Sequence, residues 1–465
     1  MGKPRRKTGG MDMIHGSLWD KILFFTIPLA LTGVLQQLFN AADVAVLGQL
    51  VGKNAIAAVG NNISLIGLLV NLFLGLSLGA NVVIAQNIGG KRLEKVKSAV
   101  HTAFLLAIIV GAIIGVIGEL LTDPVMDVMG VPDEVREMAE TYFRIYLAGM
   151  PVIGLYNFES AIFRSRGDTK TPLLSLVAAS ILNIALNLFF VLVLDWGVAG
   201  VAFATVLANG LSAGILFREL CRSESIIHVD VKSLAIDRKC LSEIVRIGLP
   251  AGIQGMVFSL SNLLIQSAIN SLGPEAMAAS AAGFSIEINV YCFVGAFGQA
   301  TTTFVGQNYG AGKLFRCRRA TWVAMGLNAL FTLLMTVLVL LFGEEMLRFF
   351  NGDPEVIRLG YMRLLYIVGP ELVCVVLDGL SGALRGYGIS MPPAILTLLG
   401  VCGVRITWVY TLFREYPTYE VLMGTYGVSW VVTTIFLCLA YRFYMKHLKP
   451  IPKWRMEMHE KEERA

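Results

Sequence analysis

The sequence predicts an all-α polytopic membrane protein, with twelve transmembrane helices in two six-helix parallel repeats around a central cavity. Three observations carry that expectation. The 465-residue chain is 55% hydrophobic and only 15% charged, where soluble domains carry about 25% charged residues. Its apolar residues fall into runs long enough to cross a bilayer, which takes about 20 residues each. Motifs of the first half also return in the second at a nearly constant offset.

Taken in order, residues 1–17 form a tail that opens with the basic "MGKPRRKTGG". A polar, acidic stretch separates it from the first long span. No short apolar core with a small-residue cleavage site is visible, so no removable signal peptide is expected. Spans follow at roughly 18–48, 55–88, 94–122, 136–165, 169–194 and 198–220, then at roughly 241–272, 276–306, 316–343, 355–386, 391–413 and 423–445. Residues 221–240, "CRSESIIHVDVKSLAIDRKC", are the one long polar break and the expected cytoplasmic linker between halves 18–220 and 241–445. Residues 446–465 form a second tail.

Most of the 38 Lys and Arg residues gather in every second connection ("GKRLEKVK", "RSRGDTK", "GKLFRCRR"), while the alternate loops are acidic or nearly neutral ("LTDPVMDVMGVPDE", "LDWG", "SLGPE"). The positive-inside rule then puts both termini and the linker in the cytoplasm of a cell-membrane protein. The net charge of +5 reads as orientation and headgroup contact, and no nucleic-acid partner is expected.

The repeat is specific. Pro28 matches Pro250, 222 positions on, and Gln86, Asn87 and Gly89 match Gln307, Asn308 and Gly310, 221 positions on. Tyr142, Arg144, Pro151, Arg166 and Gly167 meet Tyr361, Arg363, Pro370, Arg385 and Gly386 at an offset of 219. Six is even, so both halves enter the membrane from the same side, as in parallel repeats related by an axis along the membrane normal. The glycine-rich "FVGQNYGAGK" is not a phosphate loop. Five residues separate Gly306 from Gly312, and Leu314 stands where a hydroxyl is needed. It reads as a helix end, with glycines that stop the helix and a lysine for anionic headgroups.

A charge inside the hydrocarbon costs at least about 2.5–3.5 kcal/mol on insertion scales, so each one is a candidate for function. Gln36, Asn40 and Asp43 share a face of helix one by their spacing. Asp43 is either the centre of a proton or cation site, or an aspartate near the helix end satisfied by Asn40. Its repeat mate is Ile265. Asn183 and Asn187 lie four apart on helix five, and Thr205 offers a hydroxyl on helix six. Glu287 in helix eight has no basic residue within reach on its own helix, which leaves Arg405 of helix eleven as the expected partner. Glu159 and Asp378 occupy the same repeat position, seven residues before an Arg-Gly, and are expected to latch an inner gate. The seven cysteines and five histidines are scattered, so no metal site, disulfide framework or cofactor is expected. His101 reads as a solvated or capping residue. No HExxH or paired-Asp motif argues for an enzyme.

With "QNIGGK" and "GQNYGAGK" after helices two and eight, and "FRSRGDTKTP" and "LRGYGISMPP" after helices four and ten, residues 15–445 resemble the multidrug and toxic compound extrusion (MATE) family. The resemblance implies a secondary active efflux antiporter that exports cationic or amphipathic compounds in exchange for H⁺ or Na⁺ by alternating access. It also implies a first-half cation site from an Asp on helix one, an Asn and an Asp on helix five and a Thr on helix six. Asp43, Asn183, Asn187 and Thr205 match those positions, with Asn187 in place of the second aspartate. One carboxylate fewer weakens a Na⁺ site, because hard cations favour charged oxygens. Glu287 resembles an acid carried by some branches of the family. Asp378 lies a turn nearer the cytoplasm than the second-half cation position. The alternatives are a lipid-linked saccharide flippase, which would want several deep arginines where only Arg405 is expected, and more remotely a membrane-embedded enzyme.

Overall fold

The computed structural model describes residues 10–222 and 226–448. The start of the N-terminal tail, residues 223–225 of the linker and the tail beyond 448 lie outside them. Helices follow the twelve expected spans. In the first half these are α1 (Trp19–Val51), α2 (Lys53–Gly89), α3 (Leu93–Val128), α4 in two pieces (Asp133–Ala148 and Met150–Ser165), α5 (Lys170–Val193) and α6 (Gly197–Arg222). In the second half they are α7 (Arg238–Asn270), α8 (Pro274–Gly310), α9 (Leu314–Phe350), α10 in two pieces (Pro354–Ile367 and Glu371–Gly386), α11 (Met391–Glu415) and α12 (Tyr419–His447). Ten are individually long and apolar enough to cross a membrane, and α10, bent by 42° at its break, makes an eleventh. The α4 pieces hold the matching place in the first half. Their first piece is too rich in charge to pass as apolar, with Asp133, Glu134, Arg136, Glu137, Glu140 and Arg144 in sixteen residues.

The repeat is written into the backbone as well as the sequence. Left-handed φ values fall on Gly52 and Gly273, on Lys91 and Gly312, and on Gly167 and Gly388, each pair 221 positions apart. These are the turns α1–α2 with α7–α8, α2–α3 with α8–α9, and α4–α5 with α10–α11. Equivalent links therefore turn the same way, and glycine removes the steric cost at five of the six positions.

Each half has its own apolar core. One cluster draws on α2 to α6 and the start of α7, around Phe73, Phe158 and Ile162, and another lies wholly within the second half, around Leu422, Met423 and Trp430. A third joins the halves through α1 and α8, where Phe25 meets Phe304 edge to face at 5.8 Å. The closest seam is between α2 and α7. Gly75 and Gly79 on one and Gly248 and Gly252 on the other let the backbones touch, so that an added Cβ on Gly75 would collide with Gly252. Two small-xxx-small pairs facing each other are a common membrane helix contact, because apolar lipid gives helices no other reason to approach.

The linker is strapped to the start of α3. The amide of Asp230 donates to His101 Nε2 at 3.3 Å and that of Asp237 to Thr102 Oγ1 at 3.0 Å. Asp237 in turn caps α7 through the amides of Lys239 and Cys240. His101 is therefore buried beneath the linker rather than solvated.

Candidate functional site

Asp43 is buried between three helices of the first half. Asn187 Nδ2 on α5 donates to its Oδ1 at 2.6 Å, and Thr205 Oγ1 on α6 donates to its Oδ2 at 2.9 Å. Asn187 also donates to Asn183 Oδ1 at 3.2 Å. The four residues named from α1, α5 and α6 thus form one cluster, each of them at most 5% exposed. Helical spacing explains the α5 pair, since residues four apart share a face. The Thr205 hydroxyl has a second acceptor at the same distance, the carbonyl of Val201 at 2.9 Å. The stacked rings of Tyr142 and Tyr146 lie within electrostatic reach of the carboxylate.

Two expected helpers stand apart. Asn40 is exposed and Gln36 half-buried, and neither bonds to Asp43. Spacing put them on its face, but α5 and α6 supply the donors, because a side chain on a packed helix meets its neighbours more readily than residues up its own rod.

In the second half Glu287 is paired, though not with Arg405. Arg363 of α10 grips it with both arms, Nη2 to Oε1 at 2.6 Å and Nε to Oε2 at 3.0 Å. Both partners are buried. Arg363 was visible in "YMRLLY" and had been matched to Arg144, but its depth depends on the bend of α10. Arg144 instead reaches Glu119 and Asp123 on the exposed end of α3. Two arginines, not one, therefore lie deep in the second half. Arg405 is wholly buried, donates from Nη1 to Asn262 Oδ1 on α7 at 2.8 Å and from Nε to Ser429 Oγ on α12 at 3.4 Å, and sits 4.3 Å from the centre of the Tyr426 ring.

Glu159 and Asp378, by contrast, form no ion pair with the arginine that follows each. Both oxygens of buried Glu159 lack a partner, as does Asp378 Oδ2. Arg385 turns to Gln254 on α7 at 2.6 Å, and Arg166 to Asp168 at 3.2 Å. A buried acid not singled out from the sequence, Glu371, follows the bend of α10, and its Oε2 is likewise unpartnered.

The glycine motifs instead supply contacts between the two halves. Gln86, at the end of α2, donates to the carbonyl of Gly386 in the other half at 2.8 Å, and its repeat mate Gln307 donates to the carbonyl of Ser165 at 2.7 Å. Between these reciprocal bonds the ends of α2 and α8 cross so closely that a Cβ on Gly89 would strike the carbonyl of Gln307, and one on Gly310 that of Gln86. Sequence reasoning treated these glycines as helix stops. Their larger role needs the partner half, whose position no local pattern reports.

The MatE family model matches residues 28–189 and again 250–411, one copy per half. The chain belongs to the MatE family. Among its MatE relatives, the "Probable multidrug resistance protein YoeA" of Bacillus subtilis is 26% identical over 92% of this chain and 95% of its own length. The "Probable multidrug resistance protein NorM" of Thermotoga maritima is 28% identical over 85% of this chain and 86% of its own. A solved structure described as the outward-facing conformation of a multidrug resistance MATE transporter superposes with a TM-score of 0.87, at 23% identity, over 98% of this chain and all of that one. This MatE chain is thus a multi-pass membrane protein of a transporter family.

Proposed function

We propose that the protein is a secondary active multidrug efflux antiporter, which exports cationic or amphipathic compounds across the cell membrane in exchange for protons by alternating access of its two halves. The family and the names of the relatives support export of small molecules. The observation that carries the coupling is the cradle of Asp43: a lone buried carboxylate held by neutral donors alone.

The chemistry follows from counting hydrogens. When Asp43 is ionised, Asn187 and Thr205 both donate to it. When it takes a proton, its own O–H can donate to Thr205 Oγ, and the single Thr205 hydrogen turns to the Val201 carbonyl. In both states the carboxyl group, the Asn187 amide N–H groups and the Thr205 hydroxyl keep a partner, so the proton moves on and off without breaking the contacts that hold Asp43. A Na⁺ ion would find one charged oxygen beside amide and hydroxyl oxygens, a poorer set for a hard cation. Proton and cationic compound compete for the same negative charge, and that competition is what exchange requires.

In this reading the end where α2 meets α8 is the cytoplasmic gate, closed by the Gln86 and Gln307 bonds, with both termini on that side. Cysteines placed at Lys91, Arg166 and Lys313 label from the cytoplasmic face, and labelling of any one from outside breaks the parallel-repeat orientation. The decisive experiment is dye export by the purified protein in liposomes, driven in turn by a pH gradient and a Na⁺ gradient. Export under the pH gradient alone is expected, and export only under Na⁺ overturns the proton assignment. A lipid-linked saccharide flippase has less support, since Arg363 is occupied by Glu287 and leaves a pyrophosphate only Arg405.

A further inference from the structure

We propose that Arg405 is an anion-binding point, which takes the carboxylate or phosphate group of an exported amphipathic compound. This inference rests on the efflux reading and names a substrate class within it.

Arg405 is the largest fully buried side chain among the described residues. A guanidinium stays charged at any accessible pH and carries five N–H donors in a planar fork. Here Nη1 and Nε reach neutral acceptors, the amide of Asn262 and the hydroxyl of Ser429, while Nη2 has no partner. The unpartnered buried carboxylate oxygens of this half, on Glu371 and Asp378, make no ion pair with it, and Glu287 is taken by Arg363. The same half therefore contains one buried arginine gripped by a carboxylate and another without one.

A permanent charge at this depth is retained against its burial cost only if something answers it at some stage, and Arg405 cannot shed a proton to escape. The surroundings suit an oxyanion on a flat body. Tyr426 and Phe258 lie against the guanidinium, 4.3 and 5.2 Å from their ring centres. The buried hydroxyl Thr425 Oγ1, one turn before Ser429 on α12, is also without a partner and can donate. Arginine with hydroxyls matches carboxylate or phosphate, and the aromatic faces match a ring system.

Two dyes that differ only in one group test this: tetramethylrhodamine, with a free carboxylate, and its methyl ester, which lacks it. Both are loaded into liposomes carrying wild-type protein, Arg405→Gln or Arg405→Lys, with thermal melting of each variant as the check on folding. The expected result is that the wild type exports both and that Arg405→Gln lowers export of the free acid about tenfold relative to the ester. Arg405→Lys should recover part of that ratio by keeping the charge. If Arg405→Gln does not fold, the Arg405→Lys ratio decides, and it should fall below that of wild type. An unchanged ratio in the folded variants, or equal loss of both dyes, overturns the proposal. Wild type that exports only the ester also overturns it while leaving the efflux reading in place. Wild type that exports neither dye under any gradient sinks the efflux reading and this inference with it.

Discussion

In the first half a carboxylate on α1 meets donors from α5 and α6. At the matching place on α7 the second half has Ile265, fully buried, and its buried charges without an ion pair include the arginine on α11, held by an amide and a hydroxyl. The helix ends, the left-handed turns and the gate glutamines agree between halves almost residue for residue. The backbone turns and the helix ends match between the halves, while the buried polar groups inside them differ. The lesson is that the helix-end contacts are symmetric and the buried polar groups are not, so repeat position transfers a contact at the helix ends but not inside the halves.

The largest expected effect breaks the first half's site alone. Asp43→Asn abolishes uphill dye export in liposomes, while the amide keeps the size of the side chain and the melting temperature stays close to wild type. If Asp43→Asn pumps against a gradient at wild-type rate, coupling belongs to the second half, with Glu371 or Asp378 the next candidates.

Next comes the buried pair of the second half. Glu287→Gln leaves Arg363 buried and uncompensated, at a cost of about 3–5 kcal/mol, and should sharply lower the yield of folded protein. Replacing both partners with apolar residues of similar size restores most of that yield. Wild-type stability for Glu287→Gln alone would show that the pair contributes little and free Glu287 for a substrate role. The contrast with Asp43→Asn, inactive but folded, is the clearest measure of how the two acids differ.

Smaller effects test the symmetry of the gate. Gly89→Ala and Gly310→Ala each push a methyl into the opposite helix end, an overpacking cost of about 1–3 kcal/mol. Both should raise labelling of a cysteine placed at Lys313 or Lys91, to similar extents. Smallest are Gln86→Ala and Gln307→Ala, each removing one hydrogen bond of about 1 kcal/mol. They should shift the same labelling equally, and unequal shifts would show that one half controls the gate.

Much of this was legible in the sequence. The span pattern, the repeat offset and the cluster of Asp43 with Asn183, Asn187 and Thr205 were all named from residues, the last through the family resemblance. What failed was partner choice. Gln36 and Asn40 were expected beside Asp43, Arg405 beside Glu287, and Glu159 and Asp378 beside arginines. Asp43 and Glu287 find their partners across a helix interface, on α5, α6 and α10, and Arg385 turns across one to Gln254 instead of to Asp378.

By itself the sequence determined that the chain lives in a bilayer, that it is built twice, and which helix faces carry polar groups. Those properties depend on composition and on spacing along one rod, where the period of the helix fixes who shares a face. Only the tertiary structure decided that Arg363 rather than Arg405 answers Glu287, that Arg405 is left with neutral partners, and that the glycine motifs join the two halves. Each of these depends on the bend of α10 or the crossing of α2 with α7 and α8, and a crossing is set by side chains from both helices at once, so neither strand of sequence contains it alone.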